Sequence, residues 1–144
     1  MQVIVERLQK DEGNGLPGKP FQLYKDSKGY WTIGWGFCID PALGLKIPAP
    51  VADFWLNYLI NQVEAELQGV RWFEDLDPVR QNLIVCLAYN LGEGGILKFV
   101  KMIAALQAKD YNRAADELEN SSWFGQVGVR GPIYVRILRT GTWE

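Results

Sequence analysis

The chain has no histidine and only two cysteines, Cys38 and Cys86, in 144 residues. Two cysteines are too few for a disulfide framework, and without a cysteine–histidine cluster no zinc site is expected. Cys86 sits in the apolar run Leu83-Ile84-Val85-Cys86-Leu87-Ala88 and reads as a small packing residue, while Cys38 is expected to be partly exposed. No apolar run approaches the roughly 20 residues needed to span a bilayer. No basic region followed by an apolar core opens the chain, so neither a signal peptide nor stable membrane insertion is expected. Basic excess is also missing. A formal net charge of −2 and a pI near 5.2 argue against a general nucleic-acid binder. There is no internal repeat and no low-complexity segment.

What is present reads as one domain. A chain of 144 residues, 48% hydrophobic and 22% charged, is long enough to bury a proper core. Its most informative stretch runs from Asp11 to Phe37, where two carboxylates and a threonine stand among aromatics and glycines. Val3, Ile4 and Leu8 recur at helical spacing, and Gly13 suits the left-handed residue that closes a helix. Glu12 then lies in the last helical turn, where orphan carbonyls disfavour its charged form and raise its pKa. Such a group can hold and donate a proton near neutral pH, although a solvated acid at a helix end fits the same pattern.

Asp26-Ser27-Lys28-Gly29, between Phe21-Leu23 and Tyr30-Ile33, reads as a hairpin turn with a positive φ at Gly29. Continued alternation sends Trp31, Ile33, Trp35 and Phe37 to one face and Tyr30, Thr32, Gly34 and Gly36 to the other. The second face is a hydroxyl beside two gaps that a bulky ligand can approach. Asp26 as a plain turn-former and the glycines as bend points remain the alternative.

Glu-Gly, then Tyr-Lys-Asp, then Gly-Tyr-x-Thr-Ile-Gly-x-Gly resembles the phage-type lysozymes of glycoside hydrolase family 24. Leu76-Asp77-x-Val79-Arg80, Asn90-x-Gly92-Glu93-x-Gly95, Ser122-Trp123-Phe124 and Arg139-Thr140-Gly141-Thr142-Trp143 resemble later segments of that family in the same order. The resemblance spans about Glu6 to Trp143. It implies that Glu12 is the catalytic glutamate, Asp26 the catalytic aspartate and Thr32 a residue that helps hold the attacking water. It further implies cleavage of the β-1,4 bond between N-acetylmuramic acid and N-acetylglucosamine in peptidoglycan, with inversion. The residue types suit that chemistry, in which one carboxyl protonates the leaving oxygen and the other orients water on the opposite face of the sugar. Neither metal nor cofactor is needed for it. Two departures stand out: Phe37 replaces a frequent family histidine, and the insert from Asn14 to Pro20 lengthens the path between the acids, at little cost in closure entropy.

The expected architecture is α+β and two-lobed, within one domain covering 1–144. A small lobe over about 13–50 carries the hairpin. A linking helix covers about 51–69, with Val51, Phe54, Trp55, Tyr58, Leu59, Val63 and Leu67 on its apolar side and Asn57, Asn61, Glu64 and Gln68 on its wet side. A mostly helical large lobe spans about 70–144, joined by the N-terminal helix over about 2–12. Asp77-Pro78 reads as a cap and first-turn proline opening a buried helix over Val79–Leu91. Ile96, Leu97, Phe99, Val100, Ile103, Ala104 and Leu106 suggest the next helix, and Tyr111, Ala114, Ala115 and Leu118 another. The last opens near Pro132, with Ile133, Ile137 and Leu138 facing inward.

By the same resemblance, Tyr30, Tyr89, Asn90 and Trp123 face the saccharide, in a cleft between the lobes, and Arg130 pairs with Glu12 and lowers its pKa. Tyr89 and Trp123 as core aromatics, and Arg130 as a solvated loop residue, are the plain alternatives. The expected partner is the peptidoglycan glycan strand, met by a monomer. The acidic balance gives no long-range attraction toward an acidic cell wall, so binding rests on the cleft or on delivery by a larger assembly. Residence in the host cytoplasm, with holin-assisted release to the periplasm, is expected. A lytic transglycosylase and a non-catalytic wall-binding or tail module are the competing functions.

Overall fold

The structure, a computed structural model, describes residues 4–8, 23–44, 47–92 and 94–143. Glu12, its closing Gly13 and the insert over 14–20 lie outside the described residues. The chain divides into two compact units, Met1–Val51 and Ala52–Glu144.

In the first unit, residues 4–8 are helical (α1). Three short strands, β1 (Tyr24–Lys25), β2 (Trp31–Ile33) and β3 (Phe37–Cys38), form an antiparallel sheet in that order. The first hairpin turns where the sequence places it. The Asp26 amide donates to the Tyr30 carbonyl and the Gly29 amide to the Asp26 carbonyl, each at 2.9 Å, and Gly29 takes φ 84°. Lys25 and Trp31 face each other across that hairpin, with the ammonium 5.0 Å from the ring centroid.

Beyond Ile33 the expected alternation breaks. Gly34, Trp35 and Gly36 form a second turn, with φ 64° and 77° at the glycines, and the chain reverses so that Thr32 pairs with Cys38 and Ile33 with Phe37. A strand cannot run through two left-handed residues, so the single bare face of Tyr30, Thr32, Gly34 and Gly36 does not form. Gly34 is required twice over, because a Cβ there would also lie 2.8 Å from the Phe37 ring. Thr32, central in the sheet, is only 3% exposed.

The segment after Cys38 is ordered by one carboxylate. Asp40 Oδ1 accepts from the Ala42 amide at 2.9 Å, capping a 3-10 turn over Pro41–Leu43, and Oδ2 accepts from the Trp31 amide at 3.0 Å. These backbone hydrogen bonds, Trp31's first, hold the Asp40 carboxyl below its ordinary value.

The second unit is helical. It comprises α2 (Ala49–Leu67), whose first turn spans the division between the units, α3 (Arg71–Glu74), α4 (Pro78–Leu91), a 3-10 turn (Gly95–Lys98), α5 (Val100–Gln107), α6 (Tyr111–Glu119), α7 (Ser122–Gln126) and α8 (Arg130–Thr140). The apolar side of α2 enters the core only in its final turns, through half-buried Val63 and buried Leu67. Phe54 is 74% exposed, and Trp55, Tyr58 and Leu59 are exposed as well. α4 starts as expected, with Pro78 in its first turn and the Asp77 side chain accepting the Arg80 amide. Leu83, Ile84 and Leu87 then bury completely against Met102, Leu106, Leu118 and Leu138. Ala114 and Ala115 are fully buried where α6 packs on α5 and α8, since a methyl side chain lets helix axes approach.

The single helix expected from Ile96 onward is two elements. Phe99, with ψ 51°, separates the 3-10 turn from α5 and so interrupts the helix, and Leu97 and Val100 are exposed. α8 begins at Arg130, and Val135, Ile137 and Leu138 carry its buried face while Ile133 is exposed. Among the described residues one buried side chain is charged. Arg80, 7% exposed, donates from Nε to the Leu138 carbonyl at 2.7 Å, from Nη2 to the Arg139 carbonyl at 3.0 Å and from Nη1 to Asp77 Oδ2 at 2.7 Å. Its guanidinium lies 3.6 Å from the Tyr111 ring centroid. The cation thus satisfies carbonyls at the negative end of α8, where helical partners run out.

Candidate functional site

Three of the residues singled out in the sequence come together in the first unit. Asp26 Oδ1 accepts two backbone N–H groups, from Lys28 at 2.8 Å and Tyr30 at 2.9 Å. The Tyr30 carbonyl in turn accepts from the Asp26 amide and from Thr32 Oγ1, the latter at 3.1 Å. Asp26, Tyr30 and Thr32 are therefore one hydrogen-bonded group built on the first hairpin. Asp26 forms the turn, as its plainer reading had it, and the same bonds fix the direction of its carboxyl. Among the described residues Oδ2 accepts no hydrogen bond, so its lone pairs remain available. The Thr32 hydroxyl spends its proton on a carbonyl and keeps lone pairs. Glu12, the expected proton donor, lies outside the described residues.

A second group belongs to the helical unit. Tyr89 and Asn90, at the end of α4, line an open pocket of about 630 Å³ together with Leu59, Gln62, Val63 and Glu66 of α2. Tyr89 is exposed at this position, and its aromatic surface beside amide groups is suited to a sugar. Asn90 Nδ2 donates to the Cys86 carbonyl at 2.8 Å, and Asn90 Oδ1 accepts from Arg130 Nη1. Arg130 thus has a partner in α4, at the start of the last helix.

Trp123 stands apart from that pocket. It is 5% exposed within the core, its ring 5.5 Å from that of Tyr134 and tilted by 31°, and among the described residues its Nε1 has no hydrogen-bond partner. It also lines a second pocket of about 440 Å³ with Lys98, Phe99, Ser121, Ser122 and Gln126. Burial pushes the Tyr134 hydroxyl up, the Cys86 thiol beside it adds to this, and the Arg130 cation opposes it. Gln62, Glu66 and Tyr134 were not singled out from the sequence. Gln62 and Glu66 do follow Leu59 at helical spacing, which was the available signal. Among the described residues no group of three or more His, Cys, Asp or Glu is arranged to hold a metal.

A family model described as phage lysozyme matches residues 15–133, a span that takes in Asp26, Tyr30, Thr32, Tyr89, Asn90, Trp123 and Arg130 and begins just after Glu12. Two proteins of Dictyostelium discoideum, probable T4-type lysozymes 1 and 2, are each 23% identical over 166 residues, covering 96% of this chain and 95% of theirs. The pre-baseplate central spike protein Gp5 of Enterobacteria phage T4 is 25% identical over 167 residues, covering 98% of this chain and 28% of the spike protein.

Proposed function

The chain belongs to the phage lysozyme family, and from that premise we propose that it is a muramidase, hydrolysing the β-1,4 bond between N-acetylmuramic acid and N-acetylglucosamine of peptidoglycan with inversion. Glu12 protonates the leaving glycosidic oxygen. Asp26 takes a proton from the attacking water, and Thr32 helps to hold that water. An inverting pair must leave room for one water, which calls for carboxyls roughly 6.5 to 9.5 Å apart. The observation that carries the reading is the Asp26 carboxyl, held by two backbone N–H groups on Oδ1 with Oδ2 free of described partners. A carboxylate fixed in direction at no cost in rotamer freedom during the reaction is what a general base requires. Tyr30, Tyr89, Asn90 and Trp123 bind the saccharide in this reading, although Trp123 would do so from a buried position.

Digestion of purified peptidoglycan by wild type, Glu12→Gln and Asp26→Asn tests the assignment, with reducing ends and 1,6-anhydro ends both counted. Wild type should yield reducing ends, while each variant should bind wall without cutting it. Anhydro ends from wild type would make it a lytic transglycosylase, whose product differs by one water. Lysis that survives Glu12→Gln would remove that residue as the acid. The similarity to the phage T4 spike protein favours a second reading, a wall-acting domain carried by a phage tail. Retention of Glu12, Asp26 and Thr32 together favours a catalytic module over a purely binding one. As a free enzyme, the protein accumulates in the host cytoplasm and reaches the wall through a holin lesion. Expression with and without a holin, scored by culture lysis, tests that route.

A further inference from the structure

Resting on the saccharide reading of the pocket at Tyr89 and Asn90, we propose that Arg130 is a positioning residue that fixes which end of the Asn90 carboxamide the pocket meets, and so selects an N-acetylated sugar. A guanidinium offers only donors, and a backbone carbonyl only accepts. Arg130 Nη1 meets Asn90 Oδ1, and Asn90 Nδ2 meets the Cys86 carbonyl at 2.8 Å. Flipping the amide would set donor against donor at one end and acceptor against acceptor at the other, so both contacts enforce one orientation. Arg130 takes one of the two lone pairs of that oxygen, and its positive charge disfavours a second cation at the other. Of the two N–H bonds on Nδ2, one goes to Cys86 and one remains.

Asn90 lines the pocket, so beside the Arg130 cation what it can best offer a ligand is its remaining N–H donor. That donor suits the carbonyl oxygen of an acetamido group. A de-N-acetylated sugar brings an ammonium, which only donates and would meet the N–H with like polarity. Glu66, on the same pocket, attracts an ammonium and pulls the preference the other way. Arg130 therefore tips the balance: without it only the Cys86 carbonyl holds the amide, whose oxygen then turns outward more readily and loses the neighbouring cation that keeps an ammonium away. Arg130 itself stands in the first turn of α8, one turn before Tyr134, whose ring is packed on Trp123. The base of the arm is anchored, and the assignment does not require any contact with the reacting atoms.

The test measures binding of a chitooligosaccharide and of its de-N-acetylated counterpart to wild type, Arg130→Ala, Arg130→Lys and Asn90→Asp. The Asn90 side-chain amide signal is followed in parallel by nuclear magnetic resonance. Wild type should favour the N-acetylated ligand, and Arg130→Ala should shrink that preference by about tenfold, the effect of one well-placed hydrogen bond. Arg130→Lys, which keeps a donor, should restore part of it, and Asn90→Asp, which has no donor, should reverse it. An unaltered Asn90 amide signal in Arg130→Ala, or an unaltered ligand ratio, overturns the proposal. So does an Arg130→Ala variant in which only the acidic limb of the pH–rate profile moves. If wild type binds neither oligomer but the amide signal still responds to Arg130→Ala, the clamp stands and the saccharide reading of the pocket falls.

Discussion

Replacing Arg80 should cost more stability than any other single charge removal in the helical unit. Arg80→Ala leaves the Leu138 and Arg139 carbonyls without their donor, deprives Asp77 of its ion pair and empties the space over Tyr111. Hydrogen bonds to a charged group contribute about 1.5–3 kcal/mol each, but neighbouring losses do not add, and breaking a buried charged contact typically costs about 3–5 kcal/mol in all. Asp77, at 37% side-chain exposure, is partly rehydrated when its partner goes, which puts the expected loss near the lower end, about 3 kcal/mol. In a domain of this size each kcal/mol lowers Tm by about 2–4 °C, so a fall of roughly 6–12 °C is expected. Urea and thermal unfolding followed by far-UV circular dichroism would measure it. Arg80→Lys should recover little, because an ammonium cannot reproduce the fork across two carbonyls and a carboxylate. Gly141→Ala attacks the same contact from the other side: φ there is 70°, and a Cβ would stand 2.5 Å from Arg80 Nη1. A loss below about 1 kcal/mol for Arg80→Ala would refute the reasoning, since it would place the contact among ordinary surface pairs.

Acid should weaken the same junction. Burial pushes the Asp77 carboxyl up, but the Arg80 side-chain and backbone hydrogen bonds outweigh it and hold the pKa below its ordinary 3.8. A depressed folded-state pKa stabilises above the unfolded value, so this contribution is intact above about pH 4 and lost as pH falls below it. Asp77→Asn should flatten that part of the stability–pH curve. Leu83→Ala, at a fully buried site in α4, should cost about 2–5 kcal/mol by denaturant titration. Gly34→Ala should disrupt the second hairpin, through both its φ of 64° and the Phe37 ring, and lower protection of the β2 and β3 amides in hydrogen exchange. Asp40→Ala should speed exchange of the Trp31 amide, which then loses its acceptor.

The elements that were legible in the sequence are those whose chemistry is local. Asp77-Pro78 carries its own cap, and Asp26 to Gly29 contains the acceptor and the glycine its turn uses, so both could be placed within a residue or two. At the second hairpin the glycines admit either of two conformations: Gly34 and Gly36 fit an alternating strand as letters, yet they take left-handed φ. The helical pattern from Ile96 to Leu106 is broken instead at Phe99, whose ψ of 51° has no glycine or proline to announce it. Arg80 gave no local sign of burial, because the carbonyl that accepts from its Nε lies 58 positions away. Yet Leu76–Arg80 and Arg139–Trp143, noticed separately in the sequence, prove to be two sides of that one junction. The candidate site was legible as residue types, while the partnership of Arg130 with Asn90 was not, since it joins the ends of two helices 40 positions apart.

If Asp26 is the general base proposed above, its side chain serves both turn and chemistry, with a consequence for tracing inactive descendants of such an enzyme. Because the same oxygen that orients the group also clasps the bend, drift at this position is constrained by folding even after selection for cutting has ceased. A descendant that still carries aspartate there need not be a working hydrolase, whereas one that has changed to asparagine can keep its bend while surrendering the proposed chemistry.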